Sequence, residues 1–209
     1  MPTEEVSRGV CYIAYGWRAV KEAGYSIATL RQHNDLPVTV IGERINGAHH
    51  IEFGDNGIGR WAKVNLDRLS PYDYTLYLDA DTRVHGPIGA GFDALHGGWD
   101  ISICPSTKQG SEALWHVDAE ERTATYLEVG ANLLQLQGGV FFFRKSPQVH
   151  TLFAAWREEW QKWRGQDQAA LLRALHRRPV RLWLLDNDWN GGALIEHRYG
   201  AARRRDGEV

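Results

Sequence analysis

The chain has only two cysteines, no marked surplus of either charge, and no apolar run near the ~18–20 residues that a membrane-crossing helix requires. Each shortage removes a class of protein. Cys11 and Cys104 both sit inside apolar, strand-like stretches, so they read as small buried residues and not as a disulfide or a thiolate metal site. The opening residues, Met-Pro-Thr-Glu-Glu, lack the basic-then-apolar order of a secretory signal. Repeats, low-complexity tracts and dividing linkers are missing too. The expectation is a soluble cytoplasmic protein built as one domain over residues 1–209.

What is present suits an enzyme. A chain of 209 residues with 43% apolar residues and nine tryptophans can bury a sizeable core. The net charge of −2 conceals an asymmetry: residues 1–143 hold 11 Lys and Arg against 18 Asp and Glu, whereas residues 144–209 hold 13 against 8. A basic C-terminal third beside an acidic body fits a polyanionic partner, and it equally fits ordinary surface charge.

Strands and helices alternate through the first half. Val10–Ala14 is an apolar strand, Trp17–Gln32 a helix with Val20, Ala23, Ile27 and Leu30 on one face, and Val38–Ile41 a second strand. Residues 42–60 carry five glycines and read as a loop, followed by a helix over Trp61–Leu69 and the strand Thr75–Leu78. This order predicts a mostly parallel sheet with helices on both faces and a ligand site beyond the strands' C-terminal ends. In the second half, Asp100–Cys104 and Leu182–Leu185 read as strands, Ala119–Ala131 and Gln168–Leu175 as helices. Gly138-Gly139 opens a doubly buried strand over Val140–Phe143. In the helix Pro147–Trp163 the stripe Val149, Leu152, Phe153, Trp156, Trp160, Trp163 reads as core. The tail 201–209 is charged.

The most informative stretch is Leu-Asp-Ala-Asp-Thr at 78–82, where an apolar strand delivers Asp79 and Asp81 one residue apart. In an extended chain both side chains leave on one face, and two carboxylates that close favour a cation between them. Mn²⁺ or Mg²⁺ takes carboxylate oxygens and leaves positions open for phosphate oxygens. The alternative is two solvated aspartates in a turn.

Further segments fall in one order: Val10–Gly16, Lys63, the Asp-Ala-Asp run, Gln-Gly-Gly-Val-Phe-Phe-Phe at 137–143, Asp-Gln at 167–168 and Glu-His-Arg-Tyr-Gly at 196–200. Taken together, over about residues 8 to 200, they resemble the GT-A-fold nucleotide-sugar glycosyltransferases, nearest the glycogenin-like (family 8) group. The resemblance implies an α/β, Rossmann-like GT-A fold, with a nucleotide- and metal-binding half at about 8–104 and an acceptor-side half at about 105–200. It implies a metal-dependent transfer of a hexose from a UDP-sugar to a hydroxyl acceptor with retention of configuration. Asp79, Asp81 and His197 would hold Mn²⁺ (or Mg²⁺). Ala14, Tyr15 and Gly16 would cradle base and ribose, and Lys63 would meet the donor sugar or its phosphate. Ala80, Gln137, Gly138, Gly139 and Arg198 would complete donor binding, and Asp167 and Gln168 would stand at the reacting carbon. Gln-Gly-Gly replaces an Asn-Ser-Gly type of segment, which leaves sugar identity open.

Each residue also has a plainer reading: Tyr15 covering the core, Lys63 on a solvated helix face, His197 on the surface, Asp167 capping a helix. An inverting enzyme would need a separate base, with Asp118, Asp186 and Asp188 as candidates. A haloacid-dehalogenase-type phosphatase, a nucleotidyltransferase and a non-catalytic nucleotide-sugar-binding protein are the competing classes. Arg83 stands where the phosphatase pattern wants Thr or Val, and residues 10–18 lack a nucleotidyltransferase phosphate loop. The acceptor wall is expected in loop 105–130, with Lys108, Trp115, His116 and Tyr126. Saccharides or small molecules, proteins, and a modified base in DNA are the acceptors considered, the last with Arg177, Arg178, Arg181 and Arg203–Arg205 on phosphates.

Overall fold

The computed structural model describes residues 6–54, 59–130 and 133–199. The first half runs β1 (Arg8–Ala14), α1 (Gly16–His33), β2 (Val38–Gly42), β3 (His49–Ile51), α2 (Gly59–Lys63), α3 (Leu66–Leu69), β4 (Tyr74–Leu78), β5 (Thr82–Val84) and α4 (Gly89–His96). The second half follows as β6 (Ile101–Pro105), α5 (Ala119–Val129), β7 (Leu136–Arg144), α6 (Pro147–Trp163), α7 (Asp167–Arg177), β8 (Leu182–Leu184) and β9 (Ile195–His197).

One seven-stranded sheet takes the order β3-β2-β1-β4-β7-β6-β8. All neighbours are parallel except around β7, which is antiparallel to both β4 and β6. The fold is α/β, mostly parallel and Rossmann-like, as the resemblance implies. Alternation along the central strands splits the core into two layers. Cys11, Ile13, Tyr77, Phe141 and Phe143 face α2, α3, α6 and α7. Val10, Tyr12, Leu76, Val140 and Phe142 face α1 and α4. Both faces of β7 are therefore covered, as its unbroken apolar run predicts.

Helix α6 has the bounds its sequence predicts because its start is marked twice. Ser146 Oγ accepts from the Val149 N–H at 3.2 Å, and Pro147 occupies the first turn. Val149, Leu152, Phe153, Trp156 and Trp160 are buried. Truncating a core aromatic such as Trp156 would cost about 3–5 kcal/mol.

Several expectations are corrected. The 42–60 loop contains β3, which adds to the edge of β2, while Gly57 lies outside the described residues. The single helix over 61–69 is two short ones. Asn65 interrupts it, its side-chain amide donating to Trp61 O at 2.9 Å. Helix α5 stops at Val129 because Gly130 has φ +88°; Ala131 and the tail 201–209 lie outside the described residues. Gly138 and Gly139 sit inside β7 and do not open it. The short elements α4, β5 and β9 have no sequence signal strong enough to read.

Candidate active site

Strand β4 ends at Leu78, and the chain turns there: the Thr82 N–H and Oγ1 both donate to Asp79 O, at 3.2 and 2.9 Å. Asp79 and Asp81 thus converge through a turn, not through the alternation of an extended strand. Thr82 then enters β5, and β9 pairs antiparallel with it, placing His197 opposite Thr82. The Arg198 N–H donates to Asp81 O at 3.0 Å and extends that ladder. Pairing of two three-residue strands is what carries a histidine from the chain's far end to the aspartates.

His197 Nε2 lies 3.2 Å from Asp81 Oδ1 and 3.7 Å from Asp79 Oδ2. Candidate ligand atoms of all three residues fall within 4.8 Å of one another. His197 Nδ1 is 2.7 Å from Asn190 Oδ1, which can only accept. With the Asn190 amide in this orientation Nδ1 carries the proton, which leaves the Nε2 lone pair for a cation held between the carboxylates. Close approach also needs Gly139, because a Cβ there would come 2.2 Å from His197 Cε1 and 2.8 Å from Asp79 Oδ2. Two carboxylates and one imidazole nitrogen in this arrangement fit a divalent cation.

Lys63 is not on a solvated face. It is 7% exposed, and its ammonium lies 3.1 Å from Asp79 Oδ1, 3.2 Å from Asp167 Oδ2 and 3.1 Å from Gly138 O. Burial alone would depress its pKa, but the charges of Asp167 and Asp79 outweigh burial and raise it, so the ammonium stays charged. Asp167 is the first residue of α7 and does not cap it; Gln166 holds the cap position. Its carboxylate is buried, and Oδ2 meets the Lys63 ammonium as an ion pair. A Cβ on Gly138 would come 2.8 Å from that oxygen. Tyr77, two residues before Asp79 on the same strand face, donates to Asp79 Oδ1 at 2.5 Å. Burial first, then the neighbouring Asp79 charge, pushes its pKa well up, so the hydroxyl keeps its proton.

These groups line a cleft of about 830 Å³ at the carboxyl ends of the parallel strands. Of the residues singled out in the sequence, Lys63, Asp79, Ala80, Asp81, Gln137, Gly138, Gly139, Asp167, Gln168 and His197 line it, together with Lys108, Trp115 and His116. Burial pushes the His116 pKa down, against a smaller opposing pull from Gln168 and Asp167. Ala14 is core. Tyr15 donates its hydroxyl to Phe53 O at 2.8 Å, and the Gly16 N–H donates to Glu43 Oε1 at 2.5 Å. These three sit beside the cleft, whose lining at that end is Ile13 and Gly59. The Arg198 guanidinium stands 3.4 Å from Glu196. Tyr126 turns inward, donating to Ala113 O at 2.8 Å.

Asp118, Asp186 and Asp188 are exposed and bind local backbone N–H groups of Glu120, Asp188 and Ala193. None lines the cleft. Arg181 belongs to the other end of the sheet. It pairs with Asp100 just before β6, and Arg177 pairs with Glu128 and Glu159. Arg203–Arg205 lie outside the described residues. Sequence reasoning misses Arg60, Tyr77, Gln135 and Asn190. Only Tyr77 has a usable signal, its place two residues before Asp79 on a strand.

No family model matches the sequence, and no curated protein matches it. Solved structures do. WbbM, described as a bifunctional glycosyltransferase, superposes with a TM-score of 0.67 at 13% identity, over 91% of this chain and 40% of its own. Mouse xyloside xylosyltransferase 1 gives 0.59 at 14% identity, over 88% of this chain and 87% of its own. The galactosyltransferase LgtC, solved with donor and acceptor sugar analogues, gives 0.60 at 15% identity, over 96% of this chain and 84% of its own. This chain thus spans well under half of WbbM. The fold is that of the GT-A-type glycosyltransferases.

Proposed function

We propose that the cleft binds a UDP-sugar together with a divalent cation and transfers its hexose to a hydroxyl acceptor with retention of configuration. The observation that carries this reading is the Asp79–Asp81–His197 cluster at the end of β4, with Lys63 and Asp167 directly beside it. Bound by those three residues, Mn²⁺ (or Mg²⁺) supplies Lewis-acid stabilisation for the charge that develops on departing UDP.

The chain's own residues supply the rest. Ala14, Tyr15 and Gly16 border the position for base and ribose, and Ala80 and Arg198 flank the diphosphate. Gly138 and Gly139 let the sugar approach the backbone. Lys63 brings a fixed positive charge to the cleft floor. Asp167, with one buried oxygen ion-paired to Lys63, orients the sugar or balances positive charge at its reacting carbon. Gln168 hydrogen-bonds the sugar.

Retention is supported by what the cleft wall holds. Among its described lining residues the only carboxylates are Asp79, Asp81 and Asp167. With two assigned to the cation and the third ion-paired to Lys63, no separate carboxylate base remains among them for in-line attack. A leaving phosphate oxygen then takes the acceptor proton. Lys108, Trp115 and His116 form the acceptor wall, and the 63%-exposed Trp115 ring suits the face of a saccharide. A nucleic-acid acceptor has less support, because Arg177 and Arg181 are ion-paired and Arg181 lies at the far end of the sheet. Two buried free cysteines accord with a cytoplasmic setting. The test is incubation with a panel of UDP-hexoses and Mn²⁺. The reading expects UDP release that Asp81→Asn abolishes, and an NMR spectrum of the product with the donor's anomeric configuration. Absence of UDP release from every donor counts against it.

A further inference from the structure

Three hydrogen bonds run head to tail through the cleft wall. The Leu114 N–H donates to Gln135 Oε1 at 2.6 Å, Gln135 Nε2 donates to Gln168 Oε1 at 3.2 Å, and Gln168 Nε2 donates to Gln137 Oε1 at 2.9 Å. A lone side-chain amide can usually turn over and exchange its oxygen for its nitrogen. This one cannot, because the first donor is a backbone N–H that has no acceptor form. Gln135 must give Leu114 its oxygen, so it presents its amide nitrogen to Gln168, and Gln168 in turn presents nitrogen to Gln137. The row ends on Gln137 Nε2, which has no partner among the described residues and belongs to a cleft-lining side chain. Gln135 itself is 1% exposed, so turning it over would bury donor against donor.

The backbone of Gln135 also holds the opposite wall. Ser106 N–H and Gln109 Nε2 donate to Gln135 O at 2.7 and 2.8 Å, and the Gln135 N–H donates to Gln109 Oε1 at 3.0 Å. The segment so clamped, 106–117, carries Trp115 and His116. One buried residue therefore joins the acceptor wall to Gln168.

We propose that Gln135 is a positioning residue that fixes the amide direction of Gln168 and Gln137. The cleft then offers a sugar N–H donors at this wall, and selects neutral hydroxyl and ring oxygens that accept. The sugar as ligand rests on the glycosyl-transfer reading above; the direction of the amide row does not.

Two measurements test it. Side-chain amide exchange by NMR, with resonances assigned by their loss in Gln135→Glu, Gln168→Glu and Gln137→Glu, reads the direction. Gln135 and Gln168 amide protons are expected to exchange at least tenfold more slowly than those of Gln137. The reverse order overturns the proposal. The second compares UDP and UDP-hexose affinities in the presence of Mn²⁺ for Gln135→Met and Gln135→Glu. UDP affinity should stay within twofold of the parent, while the extra affinity given by the hexose is lost. In Gln135→Glu that extra affinity should return as the pH falls, because a protonated carboxyl at this position donates as the amide did. Full hexose preference in Gln135→Met contradicts the positioning role. If the parent protein binds no UDP, the glycosyl-transfer reading fails, and the exchange order still decides the amide row.

Discussion

Asn190 Oδ1 stands 2.7 Å from His197 Nδ1, on the far side of the ring from the Nε2 that faces Asp79 and Asp81. A histidine free to change tautomer would present a proton to the cation position part of the time. Outer partners of this kind commonly contribute 10–100-fold to metal affinity. Asn190→Ala is expected to weaken Mn²⁺ binding by roughly that factor. Electron paramagnetic resonance of free Mn²⁺ measures it directly. Unchanged affinity would show that the tautomer is set by something else.

Lys63 separates two carboxylates in the cleft floor, and its removal leaves them facing each other. Lys63→Met should lower stability by about 3–5 kcal/mol at neutral pH, the scale for breaking a buried pair. The folded pKa of Lys63 is raised, so its contribution is complete below the unfolded value near 10.4 and fades as pH rises through the folded value. Chemical denaturation of both proteins between pH 7 and 11 checks this. The gap between them should be widest at neutral pH and should narrow in strong alkali.

Asp100 anchors the far end of the sheet, with Arg144 at 2.7 Å and the Arg181 N–H at 2.9 Å. Burial alone would raise its pKa, but the Arg181 N–H and the two guanidinium groups outweigh it and leave the pKa lowered. A lowered folded pKa contributes stability that is present above the unfolded value near 3.9 and disappears as pH falls through the folded one. Asp100→Asn should cost roughly 1.5–3 kcal/mol at pH 7, toward the lower end because Arg181 is exposed. Its acid unfolding curve below pH ~4 should also be flatter than the parent's. Activity should be untouched, since Asp100 lies at the opposite end of the strands from the cleft.

The separation of fold from site is partly legible in the sequence. The strand leading to Asp79, the two-sided burial of Val140–Phe143 and the helix Pro147–Trp163 can be read because apolar spacing and a marked helix start agree there. Elements of three residues, such as β5 and β9, carry no period, yet their pairing is what delivers His197. The reversal of β7 is equally invisible, because a doubly buried run has the same composition in either direction. Asn190 and Gln135 are polar residues in no pattern. Their partners become neighbours only when distant segments meet, so neither can be picked out. Lys63 takes a site role in the sequence from resemblance alone, and packing supplies the reason a helical lysine is buried: two carboxylates surround it.

Trp115 is large, 63% exposed and in contact with the cleft, a placement that contributes little to the core. Trp115→Ala should change stability by less than about 0.5 kcal/mol. If Trp115 stacks on the acceptor, the KM for acceptor should rise with donor KM unchanged. A matching loss of donor affinity would move Trp115 to the donor side.

In the proposed function, Asp79, Asp81 and His197 bind a cation that in turn binds a nucleoside diphosphate. Isothermal titration of UDP, with and without Mn²⁺, on the parent chain and on Asp81→Asn tests it most directly. UDP binding should require Mn²⁺ in the parent and be lost in Asp81→Asn, both proteins having first been shown to unfold cooperatively. UDP binding that is indifferent to Mn²⁺, or equal in the two proteins, would contradict it.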